Sequence, residues 1–189
     1  MSWIVKVMIF CITGMPGSGK SIISETARSL GFKVVNMGDV IREEATARGI
    51  AKTPATLGAL MLKLRKEEGN DVVAKRCLAR IRNERLSLIE GVRSMDELMY
   101  FKKNSKVCLV AVHASPETRF ERLLKRGRPD DPKDMDTFRE RDLRELNVGL
   151  GSVIALADKV FVNEGTVEDL QRSVKKFFEG IRRGDKGLG

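Results

Sequence analysis

Short apolar runs alternate along the chain with stretches whose apolar residues recur every three or four positions, the marks of buried strands and amphipathic helices. Ile4 to Ile12 is apolar and β-branched, broken only by Lys6. Ser21 to Leu30 follows, with Ile22, Ile23, Ala27 and Leu30 spaced for one helix face. Gly31 ends that helix, Lys33 to Asn36 predicts a second strand, and Met37 to Arg42 opens a second helix. Thr53-Pro54 gives an N-cap with proline at the first helical position, ahead of Leu57, Leu60, Met61 and Leu64. Gly69-Asn70 breaks this third helix, and Val73, Cys77 and Ile81 mark a fourth. Leu86 to Ile89 and Lys106 to His113 predict two more strands, the latter apolar on both faces as a central parallel strand is. Ser115-Pro116-Glu117 starts a helix, Pro129 to Asp134 a turn, and a charged helix runs from about Met135 to Leu146. Lys159 to Asn163 is the last strand. Thr166 to Asp169 has the form of a capping box for a final helix, with Val167, Leu170, Val174 and Phe177 inward.

This alternation predicts an α/β fold, a five-stranded parallel sheet with helices on both faces in a three-layer sandwich. At 189 residues the chain fits one domain, residues 1–189. Two or three helices stand between the second and third strands where one would serve, which predicts a small helical lobe at about 38–83.

The candidate chemistry begins where the first strand ends. Gly14-Met15-Pro16-Gly17-Ser18-Gly19-Lys20-Ser21 reads G-x-x-x-x-G-K-S between a strand and a helix, the context that makes a P-loop. Its glycines allow successive N–H groups to form an anion nest at a helix N-terminus. Lys20 is expected to reach the outer phosphates of ATP, and Ser21 to hold Mg²⁺.

Composition changes this picture little. The chain is 42% hydrophobic and 32% charged, ordinary for a globular protein. No apolar run approaches the roughly 18 residues of a membrane span, and the N-terminal apolar stretch runs straight into the P-loop as a core strand. Cys11, Cys77 and Cys108 lack metal or disulfide spacing and are expected to be buried thiols in a reducing cytoplasm. The net charge of +9 suits either nucleic acid or polyphosphate binding. With one Trp and one Tyr available for base stacking, nucleic acid is the less favoured partner. The Arg119 to Arg128 cluster is assigned to the active site, and the basic tail from Arg172 to Lys186 to a solvated face.

Four motifs resemble those of nucleoside-monophosphate kinases of the adenylate kinase type, above all the adenylate-kinase-related proteins of archaea. Beside the P-loop, Gly38-Asp39-Val40-Ile41-Arg42 is similar to that family's G-D-x-x-R, and Glu90-Gly91-Val92-Arg93 to its D-G-F-P-R, one residue shorter. Arg122 and Arg126, four apart, then Arg128 and Arg139, eleven apart, resemble the arginines flanking its lid, which here is cut to about 122–139. The resemblance implies ATP as donor, Mg²⁺ on Ser21 and on Glu90 through water, and AMP or another monophosphate as acceptor. It implies that Gly38, Asp39, Arg42, Arg93, Arg128, Arg139 and Arg141 face the acceptor, and that Lys20, Arg122 and Arg126 neutralise the transferring charge. Arg119, off the family spacing, is expected to matter little. Asn163 and Gly165 resemble a loop of dephospho-CoA kinases that lies against the donor base. The family's adenine-reading glutamine is missing after Arg93.

Simpler roles stand beside these. Asp39 has the position of a helix N-cap, and Ser94 with Glu97 has the form of a capping box. His113 is expected to be a packed neighbour. A kinase of dephospho-CoA and an ATPase acting on RNA remain the competing functions.

Overall fold

A computed structural model describes residues 8–81, 84, 86–128 and 131–183, the side chain of Pro54 excepted. The expected strand start at 4–7, residues 82–83 of the lobe, the turn at 129–130 and the tail beyond 183 lie outside the described residues. Five strands, β1 (Met8–Thr13), β2 (Lys33–Asn36), β3 (Leu86–Glu90), β4 (Lys106–His113) and β5 (Lys159–Val162), form one all-parallel sheet in the order β2-β3-β1-β4-β5. The helices are α1 (Lys20–Ser29), α2 (Met37–Ala47), α3 (Pro54–Glu68), α4 (Val72–Ala79), α5 (Met95–Asn104), α6 (Pro116–Arg126), α7 (Met135–Asn147), α8 (Leu150–Ala155) and α9 (Val167–Arg183).

The path reverses direction at β1. α1 carries the chain outward to the edge strand β2, and α5 later carries it back across β1 to β4. With right-handed crossovers these two helices lie on opposite faces. Strand alternation fills the two faces accordingly. Phe10, Ile12, Leu88, Val110 and Val112 pack with Ile23 and Ala27 of α1 and with Leu170, Val174 and Phe178 of α9. Ile9, Cys11, Ile89 and Leu109 face α2 to α5 and α8. Phe10 is wholly buried, with ring centroids of Phe32, Phe178 and Phe177 at 5.7, 5.3 and 6.2 Å; truncating such a residue costs about 3–5 kcal/mol. Because all strands are parallel, every carboxyl end emerges on one edge, where open α/β sheets bind ligands.

Local chemistry sets most boundaries. Thr53 and Thr56 form a capping box for α3, Ser94 and Glu97 one for α5, and Thr166 and Asp169 exchange hydrogen bonds ahead of α9. Three expectations are corrected. The N-cap of α2 is Asn36, whose side chain accepts from the Gly38 N–H at 2.8 Å, so Asp39 belongs to the first helical turn and caps nothing. On α9 Val167 is exposed and not inward, while Leu170, Val174 and Phe177 pack on the core as expected and Phe178 joins them there. His113 is exposed and not packed. The three thiols are buried as expected; burial pushes Cys77 and Cys108 up to about 12 and raises Cys11 as well. Among the described residues no helix is long and apolar enough to cross a membrane.

Candidate active site

The loop from Gly14 to Gly19 joins β1 to α1, and its shape requires its glycines. Gly14, Gly17 and Gly19 have φ of 146°, 80° and 104°. A Cβ on Gly14 would meet the Val112 carbonyl, one on Gly17 the Arg119 carbonyl, and one on Gly19 the Asn163 amide. Gly19 caps α1 without a side-chain hydrogen bond, which leaves the leading N–H groups for an anion. Ser18 Oγ is fully buried and has no partner among the described residues. Lys20 donates to the carbonyls of Gly14 (2.7 Å) and Met15 (3.1 Å). Burial, then the charge of Arg93, pushes its ammonium down to about 8. Ser21 is exposed in the first turn of α1. Ser24, one turn further, donates to Glu90 Oε2 at 2.6 Å and fixes that carboxylate at the end of β3. These groups fit a nucleotide triphosphate with Mg²⁺: a glycine cradle, a hydroxyl, a lysine and a held carboxylate. Among the described residues no cluster of three or more His, Cys, Asp or Glu could hold a metal alone.

The P-loop is braced from outside. Asn163, buried in the loop after β5, donates to the Ser18 carbonyl at 2.8 Å. Arg122 donates to the carbonyls of Asn163 (2.9 Å) and Gly165 (3.4 Å), and Glu164 accepts from Ser115 and Thr118 at the start of α6. Arg122 is therefore aimed at the 163–165 loop. Arg119 corrects the expectation that it matters little. It is 3% exposed, donates to the Pro16 carbonyl (3.2 Å) and the Ala114 carbonyl (3.2 Å), and grips Asp142 with two bonds of 2.8 and 2.5 Å. Its guanidinium also lies over the Phe138 ring, 4.9 Å from the centroid.

Beside the P-loop, Gly91 and Val92 donate to the Ile12 carbonyl, and Thr13 donates to the Val92 carbonyl at 2.8 Å. This pins Arg93 next to the end of β1. A cavity of about 420 Å³ opens here between α2, α3, the 91–93 loop and α7. Its apolar floor includes Met37, Ile41, Leu57 and Met61; its rim carries Arg42, Arg93, Arg141 and Arg144. Arg93 pairs with Glu145 at 2.9 Å, and Arg42 with Asp39 at 2.5 Å. Buried Asp131 holds Arg126 at 2.5 Å and Arg141 at 3.3 Å and accepts from the Arg128 N–H at 3.0 Å. Burial alone would raise the Asp131 carboxyl, but the Arg126 and Arg128 hydrogen bonds and the charges of Arg126 and Arg141 hold it below the usual range.

Of the acceptor residues expected from sequence, Gly38, Arg42, Arg93 and Arg141 line this cavity. Asp39 lines a separate groove with Asn36, Glu43 and Arg80. Arg139 points to solvent and pairs with Asp136 at 3.5 Å, and Arg128 is exposed and does not line the cavity. Arg144, Glu145, Asp131 and Asp142 were not anticipated. For Asp142 and Glu145 a signal was available: Phe138, the buried residue of α7, sets the helix phase, and positions 141, 142 and 145 follow it at three, four and seven residues, whereas Arg144 and Asp131 lie outside that pattern. Arg139, next to Phe138, is turned away by the same rule.

The sheet order and the glycine cradle define a P-loop NTPase with a kinase-type fold. A family profile described as an AAA domain matches residues 13–139. TT1252 from Thermus thermophilus superposes with a TM-score of 0.63 at 22% identity, covering 93% of this chain and 98% of that one. Shikimate kinase from Aquifex aeolicus gives 0.57 at 14% identity, covering 93% and 98%. Sequence similarity is far higher to the UPF0200 protein of Hyperthermus butylicus, 52% identical over 176 residues, with 92% of this chain and 95% of that protein covered. That of Thermococcus sibiricus is 45% identical over 185 residues, covering 93% and 97%. The chain belongs to the UPF0200 family.

Proposed function

We propose that this protein is an ATP-dependent phosphotransferase of the adenylate kinase type, moving the γ-phosphate of ATP onto a nucleoside monophosphate such as AMP. One observation carries the reading: the bonds of Gly91 and Val92 to the Ile12 carbonyl and of Thr13 to the Val92 carbonyl hold Arg93 where β1 enters the P-loop, and Arg93 lines a cavity shared with Arg42, Arg141 and Arg144. A site for the donor phosphates and a basic site for an anionic acceptor thus stand side by side.

The chemistry needs no general base. The second pKa of a phosphate monoester is about 6, so at neutral pH its oxygen is already ionised. That oxygen attacks the γ-phosphorus, the bond to the β-γ bridging oxygen breaks, and ADP leaves with that electron pair. What remains for the protein is alignment and charge neutralisation. Lys20 and the nest N–H groups hold the β- and γ-phosphates; Arg42 and Arg93 hold the acceptor; Arg126 and Arg141, tied together by Asp131, neutralise the group in flight, with Arg122 beside them. Ser21 and Glu90 would hold Mg²⁺, which would supply charge neutralisation to the phosphates. Asn163 and Gly165 flank the donor base. Helices α2 to α4 act as an acceptor lobe and residues 122–139 as a minimal lid that excludes water.

A hydroxyl acceptor, as in dephospho-CoA kinase, would require a carboxylate base in the cavity. Asp39 faces another groove, both Glu97 oxygens are engaged, by Arg65 at 3.0 Å and by the N–H groups of Arg93 and Ser94 at 2.9 and 3.2 Å, and Glu145, the other carboxylate of the lining, is ion-paired with Arg93 at 2.9 Å. Nucleic acid is not favoured, since α9 pairs part of its basic charge internally, as in Arg172–Asp169 and Lys175–Glu179. Buried thiols support a cytoplasmic setting. Screening Mg·ATP turnover against the common monophosphates, dephospho-CoA and RNA, with products identified by mass, tests the reading. A nucleoside diphosphate is expected. Turnover with dephospho-CoA alone, or stimulation by RNA that collapses with salt, overturns it.

A further inference from the structure

We propose that Gly58 is the specificity-determining position of the acceptor cavity: it leaves room at α3 for the acceptor's base, which the site reads by size and not by hydrogen bonding. The inference rests on the reading of this cavity as the monophosphate site.

Gly58 lies inside the 15-residue helix α3, where glycine is a poor choice. In a helix interior it costs about 1 kcal/mol relative to alanine. The two usual structural reasons for a glycine do not apply. Its φ is not among the positive values of the chain, so the backbone does not demand it. Among the described residues, no atom beyond its chain neighbours and the helix's own backbone lies within 4 Å of where a Cβ would stand, so no close packing demands it either. Yet Gly58 lines the cavity, between Leu57 and Met61 on the same face of α3. What the missing side chain provides is open space.

The chemistry around that space fixes how a base would be read. The cavity's lining combines four arginines, Arg42, Arg93, Arg141 and Arg144, with apolar side chains of α2, α3 and Val73 of α4. Glu97, a carboxylate in the wall, has both oxygens committed to Arg65 and to the N–H groups of its own capping box. It cannot read a base without undoing the start of α5. Glu145 is committed to Arg93. A planar base laid over Leu57, Gly58 and Met61 meets the van der Waals surface of those residues, and the hydrogen-bonding side chains of the lining are the four arginines and the two paired carboxylates. Such a site discriminates weakly between bases of equal size, because an apolar wall separates isosteres poorly. It discriminates strongly against whatever no longer fits.

The test uses the full chain and reads stability and acceptor use together. Gly58→Ala is expected to raise the thermal midpoint by a degree or more while raising the KM for AMP about threefold or more. Gly58→Leu is expected to lower kcat/KM for AMP at least about a hundredfold. Its binding of ribose 5-phosphate, which has no base, and of ATP should stay within about twofold of wild type by calorimetric titration. Wild type is expected to use AMP and GMP within about tenfold of each other. If Gly58→Leu keeps wild-type use of AMP, or loses ribose 5-phosphate binding equally with AMP, the proposal fails while the kinase reading stands. A wild-type protein that binds no monophosphate overturns the acceptor reading, and this proposal with it.

Discussion

Replacing Arg119 by alanine is expected to damage this protein about as much as truncating a buried core residue. The side chains of Arg119 and Asp142 are 4% and 15% exposed. Removing one partner of a buried pair leaves the other charge uncompensated, at about 3–5 kcal/mol. The Pro16 and Ala114 carbonyls lose a donor, and Phe138 loses the cation over its face. Taking about 4 kcal/mol, and about 2–4 °C per kcal/mol for a chain of this size, the thermal midpoint should fall by roughly 10 °C. That is a large share of the 5–15 kcal/mol that ordinarily holds a domain folded. Arg119→Lys, which can keep one contact but not the two-pronged grip on Asp142, should fall about half as far. Because Arg119 also holds Pro16 from behind, ATP affinity should drop in the folded fraction at low temperature. Thermal and urea unfolding followed by circular dichroism, with ATP titration calorimetry below the transition, measure both effects. A midpoint within 2 °C of wild type together with unchanged ATP affinity would refute the strut.

The remaining predictions concern charge. In the free protein Lys20 loses its proton near pH 8, since burial and Arg93 lower it to about 8. Nucleotide phosphates must recharge it, so ATP affinity should weaken as pH rises through 8, with proton uptake visible in calorimetry across buffers of different ionisation heat; affinity flat up to about pH 9.5 contradicts this. Asp39→Asn should lower kcat/KM only a few-fold, through a looser Arg42. A loss of about a hundredfold or more would make Asp39 a general base and the acceptor a hydroxyl.

What could be read from the sequence was what is written locally. The bounds of β2 and β4, the P-loop and the Thr53, Ser94 and Thr166 caps all depend on residues within a few positions of one another. What could not be read depends on distant partners. Arg119 looked like the member of its cluster that lacked the family spacing; its burial comes from Asp142, twenty-three positions on, and from the P-loop, over a hundred positions back. Asp39 looked like a cap because the competing Asn36 was assigned to the strand it ends. Helix α8, six residues long after Gly149, is too short to show a period. Arg139 and Arg141 were equivalent as charges, and only the phase set by Phe138 separates the solvent-facing one from the one in the cavity.

Tracing the phosphoryl group itself tests the central claim most directly. Protein incubated with Mg²⁺, AMP and ATP carrying heavy oxygen on its γ-phosphate should yield ADP labelled on the β-phosphate, and Lys20→Ala and Arg93→Ala proteins of unchanged fold should yield little. Label recovered only in inorganic phosphate, with AMP unaltered and the rate indifferent to Arg93, would contradict the assignment of the arginine-lined cavity as the acceptor site.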